Sequence, residues 1–163
     1  MTISKKTIRT ILIATFIAIL LIGGFVYFVY SSMLVKIRYE NLRGLATALT
    51  VYINDNNDML PDLDNWCDRL IAEADCAPES FQGIIDSQEG VCGYALNKNL
   101  EGLKFSELPD KVILAFEAKG HWNLSGGSEL TKTSKHKNIA VIFVDGYVDF
   151  VKKEEIDKLK WKP

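Results

Sequence analysis

The sequence predicts an α+β protein in which a long N-terminal helix, transmembrane and then amphipathic, packs on a small antiparallel β-sheet. Three observations predict it. The stretch Thr10–Val35 carries no charge. The stretch that follows, Lys36–Asn57, is joined to it without a proline and places Leu42, Leu45, Ala46, Leu49, Tyr52 and Ile53 on one helical stripe. Towards the far end, Asp145-Gly146 separates two apolar runs, which is a strong local signal for a β-hairpin. The chain therefore divides into a basic tail (1–9), a membrane helix (10–35), its amphipathic continuation (36–57) and a globular α+β head (58–163).

The uncharged run comes first. About 26 residues at ~1.5 Å per residue reach roughly 39 Å, more than the ~30 Å of a hydrocarbon core. Phe25, Tyr27, Phe28 and Tyr30 gather at its distal end, where interfacial rings belong. The run is too long for a signal-peptide core and no A-x-A-like site follows it, which disfavours a cleaved signal. Lys5, Lys6 and Arg9 favour a cytoplasmic N-terminus, although Lys36, Arg38 and Arg43 on the far side weaken the bias. Ala14 and Ala18, four apart, could seat a partner helix, but lipid-facing alanines are the simpler reading.

Past the membrane segment, Arg38, Glu40, Arg43, Thr47 and Thr50 fall mainly off the apolar stripe, and the helix is expected to end within Asn54–Asp58. A loop, Met59–Asp64, leads to a short helix, Trp66–Ala74, capped by Asp64 or Asn65. Cys76–Gly90 is irregular, punctuated by Pro78, Gly83 and Gly90. Val91–Asn97 reads as a strand, Lys98–Pro109 as a connector and Val112–Glu117 as a short buried strand. Ala118–Lys135 reads as a long glycine-containing loop, the first place to look for a binding surface. A two-residue type I′ turn at Asp145-Gly146 pairs Val144 with Tyr147, Phe143 with Val148 and Val141 with Phe150; the last two pairs form the face that meets the helix. The opposite face, with Asp149, is expected to be partly wet. Lys152–Trp161 reads as a short charged helix.

Little in the chain points to chemistry. Acidic and basic residues are mixed and the net charge is −2, which leaves no electrostatic footprint for nucleic acid. No nucleotide, metalloprotease or serine-hydrolase motif occurs, so the sequence predicts neither an enzyme nor a resident cofactor. Of the two histidines, His121 lies in the expected loop and His136 precedes the hairpin. His136 and Asp145 fall at opposite ends of one strand, about 30 Å apart at ~3.3 Å per residue, and Asp149 lies some 20 Å from His136, so neither makes a dyad. The spacings of Cys67, Cys76 and Cys92 match no C-x-x-C site. One disulfide with a free thiol, or three buried reduced thiols, are both open, and the spacings do not select a pair. Asp55, Asp58, Asp62 and Asp64 surround the helix end and could hold a cation; a solvated loop is the simpler reading, and DNNDML fails the EF-hand template. The sequon Asn123-Leu124-Ser125 is of a kind common by chance.

Several segments in the same order resemble a known group. Asn41-Leu42-Arg43-Gly44-Leu45 with Ala48-Leu49 and Tyr52 resembles its N-L-R-x-L-x-x-A-L-x-x-Y segment. Asp55-Asn56-Asn57, Leu60-Pro61 and Asn65-Trp66-Cys67-Asp68-Arg69-Leu70 are similar to its D-N…P…W-C-x-x-L stretch. Cys92-Gly93-Tyr94-Ala95-Leu96-Asn97 is similar to its C-x-Y-A-x-N strand. His136 followed by Asp145-Gly146 resembles its hallmark, one residue short in spacing. These are features of pilin-like proteins of the type II secretion pseudopilin class, within it the planctomycete-type H-X9-DG group. The resemblance implies a pilin fold, a single-pass protein of the bacterial inner membrane with a cytoplasmic N-terminus and a periplasmic head, and assembly with other pilin-like subunits through the helix in the lipid bilayer. Some members bind calcium in a loop. The prepilin peptidase site is missing, and Arg9 lies near where the assembly glutamate falls. The implied function is a membrane-anchored, unprocessed structural or interaction protein, of which a divergent pseudopilin is one form. The alternative is a membrane-tethered periplasmic module that binds a cation, glycan or peptide.

Overall fold

A computed structural model of the protein describes residues 5–82 and 91–163. The punctuation expected at Gly83 and Gly90 lies outside the described residues. The chain forms two units, Met1–Lys36 and Ile37–Pro163, and one helix, α1 (Lys5–Asp55), runs through both.

Within the first unit the side chains of Leu12, Phe16, Leu20 and Phe25 are all more than half exposed. The helix is long and apolar enough to cross a membrane. The Ser31 and Ser32 hydroxyls each donate to the Phe28 carbonyl at 2.9 Å, so neither depends on water for a partner.

Within the second unit, the C-terminal half of α1 packs against a five-stranded sheet. Its stripe of Leu42, Leu45, Ala46, Leu49, Tyr52 and Ile53 is buried, and Ala48 joins it. Each of the larger side chains contributes roughly 1.5–3 kcal/mol by leaving water. The helix stops where NDNND begins. Asn57 and Asp58 take left-handed φ values of 55° and 66°, which Asn and Asp tolerate better than most residues. The Asn56 and Asp58 N–H groups close the turn on the carbonyls of Tyr52 and Ile53.

The second helix, α2 (Trp66–Glu73), forms where expected, but its cap is not local. Asn65 makes no capping bond with its side chain. Instead Asn123 Oδ1 accepts from the Cys67 N–H at 2.7 Å while its Nδ2 donates to Asp68 at 2.7 Å. The Trp66 indole donates to the Leu124 carbonyl at 3.0 Å. The asparagine of the sequon is therefore a structural clamp with its amide nitrogen committed.

The strands are β1 (Val91–Asn97), β2 (Ile113–His121), β3 (Ser125–Gly126), β4 (Asn138–Phe143) and β5 (Val148–Lys152), in the order β3-β1-β2-β4-β5. β1 and β3 are parallel and the other neighbours antiparallel, so the sheet is mixed rather than all antiparallel. The loop expected over Ala118–Lys135 is largely ordered structure: β2 continues to His121, and β3 and a 3₁₀ turn, Ser128–Thr133, follow. Its glycines misled because one of them serves close packing; a Cβ at Gly126 would come within 2.3 Å of the Leu130 side chain.

The hairpin forms, with a register one residue away from the expected one. Phe143 bonds to Tyr147, Ile142 faces Val148 and Ala140 faces Phe150. The loop is Val144-Asp145-Gly146, with Gly146 left-handed at φ 76°, the three-residue form with a glycine bulge. A one-residue change exchanges faces. Ala140, Ile142, Val148 and Phe150 share a face, and the Arg38 guanidinium 4.9 Å from the Phe150 ring centroid puts that face towards α1. The opposite face is wet only on β5, where Asp149 is exposed, while Ile139 and Val141 of β4 are fully buried. On that side Trp161 meets Phe116 edge-on at 4.8 Å. The helix expected over Lys152–Trp161 is only a 3₁₀ turn, Ile156–Lys158. The residues after it are drawn out straight because Lys160 O accepts the Ile113 N–H at 2.9 Å and Trp161 O accepts the Asn97 amide at 3.0 Å. Tertiary pairing overrides helix propensity there.

The left-handed Gly146 gives a direct check on the hairpin. Gly146→Val is expected to lower the unfolding free energy by about 1–3 kcal/mol, and Gly146→Asn by much less, in denaturant unfolding of the detergent-solubilised protein. Equal losses for the two variants contradict the glycine bulge.

Candidate functional site

Strand β2 carries one carboxylate into the core. Glu117 is 8% exposed. It alternates with Phe116, which faces Trp161, so its side chain lies on the α1 side of the sheet. Three donors converge on it and an imidazole stands beside them. Oε2 accepts the Arg38 guanidinium and, at 3.2 Å, the Ala140 N–H. Oε1 accepts the Ser134 hydroxyl at 3.0 Å and lies 3.3 Å from His136 Nε2. Arg38 also donates to the Asn138 carbonyl at 2.9 Å while covering Phe150. Tyr94 is the residue opposite Glu117 on β1. A carboxylate withdrawn from water stays ionised only when paired and hydrogen-bonded, and this one has both.

The pair was legible in part. Arg38 stands four residues before Leu42 and seven before Leu45, so it continues the buried stripe instead of falling off it; helical phase is the signal that finds it. Glu117 is the one charged residue of the apolar run Val112–Glu117. Their meeting, 79 positions apart, has no local signal.

The two parts of the His…Asp-Gly pattern are kept apart at opposite ends of β4. His136 joins the Glu117 cluster. Asp145 accepts from the Tyr147 N–H at 3.0 Å and from Lys111 Nζ at 2.7 Å, and Gly146 makes the turn. Burial holds the His136 imidazole below its ordinary range; Glu117 opposes that and Arg38 reinforces it. Ser134, His136 and Glu117 are the residue types of a hydrolytic triad, but they are connected differently. The Ser134 hydroxyl donates to the carboxylate and accepts the His136 backbone N–H at 3.1 Å. Nucleophilic catalysis needs the hydroxyl on the imidazole, and among the described residues no such bond is formed.

Beside the cluster an open cleft of about 600 Å³ is lined by Lys132, Lys135, His136, Lys137 and Lys153, with Glu154 and Asp157. Lys153 Nζ donates to the carbonyls of Ser134 and Lys132 at 2.7 and 3.2 Å.

The remaining candidates are dispersed. Asp55, Asp62 and Asp64 are exposed. Asp58 instead accepts from the Ser106 N–H and hydroxyl, fastening the connector before β2 to the end of α1. Among the described residues no three His, Cys, Asp or Glu side chains converge as metal ligands. His121 is exposed, with Nδ1 on the Trp122 carbonyl at 2.8 Å. Cys67, Cys76 and Cys92 are all buried thiols, and the sulfurs of Cys67 and Cys92 are 4.0 Å apart.

Removing one charge from the buried pair is expected to cost more than removing both. Glu117→Ala should destabilise by about 3–5 kcal/mol. In a double-mutant cycle, Arg38→Met with Glu117→Gln should fall short of the summed single losses by about 1–3 kcal/mol; additivity would falsify the coupling. His136 has a pH signature. Its folded pKa is depressed, so the unfolded chain takes up the proton first; the stability it contributes is present above pH 6.5, the ordinary value, and is lost as pH falls towards the folded pKa. Unfolding free energy should therefore decline from pH 7 to 5.5 more steeply in the native protein than in His136→Gln, and equal slopes rule out this role.

Comparison with protein-family models, curated proteins and solved structures gives no match.

Proposed function

We propose that this is a membrane-anchored, pilin-like structural or interaction protein of a bacterial inner membrane, with its N-terminus in the cytoplasm and its head in the periplasm. One observation carries the reading. A single helix supplies an exposed apolar segment long enough for a bilayer and, further along, the stripe on which the head is built. Such a helix is a subunit's means of presenting a domain at a membrane and of meeting other helices within it. The His…Asp-Gly pattern fits this reading as structure: its residues brace the sheet at both ends of β4. The wiring of Ser134 and His136 supports a role without catalysis. With Arg9 near the place of an assembly glutamate, the subunit keeps its N-terminal segment and is a divergent pseudopilin or a stand-alone relative of that class.

A second reading, a tethered binding module, is favoured by the lysine-lined cleft. The charge there suits an acidic peptide or glycan, two of the three ligand classes the sequence suggests, better than a cation.

One set of measurements separates the two. In membranes, Ala14→Cys, Ala18→Cys and Ile22→Cys variants are expected to form disulfide-linked dimers with helical periodicity, and intact mass is expected to show an uncut N-terminus. Absence of crosslinks at all three positions, together with a melting temperature raised by polyglutamate, replaces the first reading with the second. Loss of the first two dozen residues overturns the unprocessed anchor.

A further inference from the structure

The three cysteines are not equivalent. Cys67 lies in the first turn of α2 and Cys92 near the start of β1; both are completely buried, and their sulfurs are 4.0 Å apart with nothing between them. Cys76 is buried elsewhere, its thiol directed at the neighbouring Ala77 carbonyl at 3.9 Å. The backbone behind Cys67 is fixed from three sides. Its own N–H is held by Asn123, the preceding Trp66 is bonded to Leu124 O, and that same carbonyl accepts the Leu96 N–H of β1 at 3.1 Å. The first turn of α2 is thereby fastened to the strand that carries Cys92, so the two sulfurs face each other by construction of the fold.

The geometry points to Cys67 and Cys92 as a structural disulfide, formed as the head folds in an oxidising compartment, with Cys76 left as a thiol. Closing 4.0 Å to the ~2.05 Å of an S–S bond requires a small rotation of each side chain. Burial and the Cys92 sulfur push the Cys67 thiol up, and the contact with Cys67 lowers Cys92.

The oxidant is a small or protein disulfide, RSSR. One cysteine thiolate attacks it, forming a mixed disulfide and releasing RS⁻, which takes up the proton the thiol lost. The second cysteine thiolate then displaces the other RS⁻, which is protonated in turn. Two protein thiols are oxidised to one disulfide and one RSSR is reduced to two RSH. Because both sulfurs are out of solvent, exchange occurs before α2 docks, and the bond once formed is shielded from reductant.

The test uses the full-length protein in detergent. It is reduced, unfolded, refolded in a buffer of reduced and oxidised glutathione, then alkylated under denaturing conditions without reductant. The expected product has the mass of two hydrogens fewer and carries alkyl on Cys76 alone; peptide mapping joins Cys67 to Cys92. Reductant should lower its melting temperature by roughly 10 °C, and Cys76→Ala should keep the Cys67–Cys92 linkage and this shift while taking up no alkyl. A chain alkylated at all three cysteines after refolding, or a bond that includes Cys76, overturns the assignment. Alkylation in intact cells reports separately on the compartment proposed for the head: the pair reduced there, yet closing in glutathione buffer, counts against the periplasmic location and not against the pairing.

Discussion

A guanidinium and a carboxylate, both nearly withdrawn from water, hold the head to its helix. Glu117 cannot remain charged among apolar neighbours unless Arg38 is beside it, and Arg38 cannot turn inward from α1 unless Glu117 receives it. Satisfying this pair positions three elements at once. The helix must bring residue 38 to the sheet face, β2 must extend far enough to present Glu117, and β4 must offer the Ala140 N–H and Asn138 carbonyl. Phe150 of β5 then becomes the surface on which the guanidinium rests. Such an interaction adds little net stability compared with a well-packed apolar substitute. What it supplies is register, since a strand shifted by one residue would bury the carboxylate without donors.

The same logic gives the His…Asp-Gly pattern a physical meaning. Just before β4, Ser134 hydrogen-bonds Glu117 and His136 stands 3.3 Å from it, while Asp145 and Gly146 close the turn after it. The number of residues between histidine and turn then measures the length of β4, at about 3.3 Å per residue. Spacing in this pattern reflects a strand that must span from the charged cluster to the hairpin tip; it does not reflect a pair of groups acting together.

The elements with strong local signals were legible. The apolar run, the stripe of α1, helix α2, strand β1 and the existence of the hairpin all follow from periodicity and turn chemistry. The misreadings have a common origin in contacts between distant residues. The hairpin slipped by one because Asp-Gly serves both the two-residue turn and the three-residue bulge, and local sequence does not separate them. The C-terminal segment has the composition of a helix, yet Ile113 and Asn97 need its carbonyls. Asp64 and Asn65 are the local cap candidates of α2, yet the capping oxygen comes from Asn123. Arg38 reads as lying off the stripe because it is charged, although it shares the phase of Leu42 and Leu45. In the candidate site, His136 was visible as a residue and not as a partner of Glu117, because that meeting depends on the β2–β4 pairing.

The distance along the chain between Arg38 and Asn138, 100 positions, bears on how the protein is made. A ribosome adding ~5–20 residues per second needs roughly 5–20 s to cover that stretch. For most of that interval the stripe of α1 is already synthesised, while the strand that completes its cover is not. Folding of the head cannot proceed piecemeal from its N-terminal side; it waits for β4 and then closes over a helix made long before. A nascent chain that stalls short of Asn138 leaves the apolar face of α1 without β4 and the Arg38–Glu117 pair without the Ala140 N–H and the Asn138 carbonyl, which makes the unfinished head a natural target for quality control.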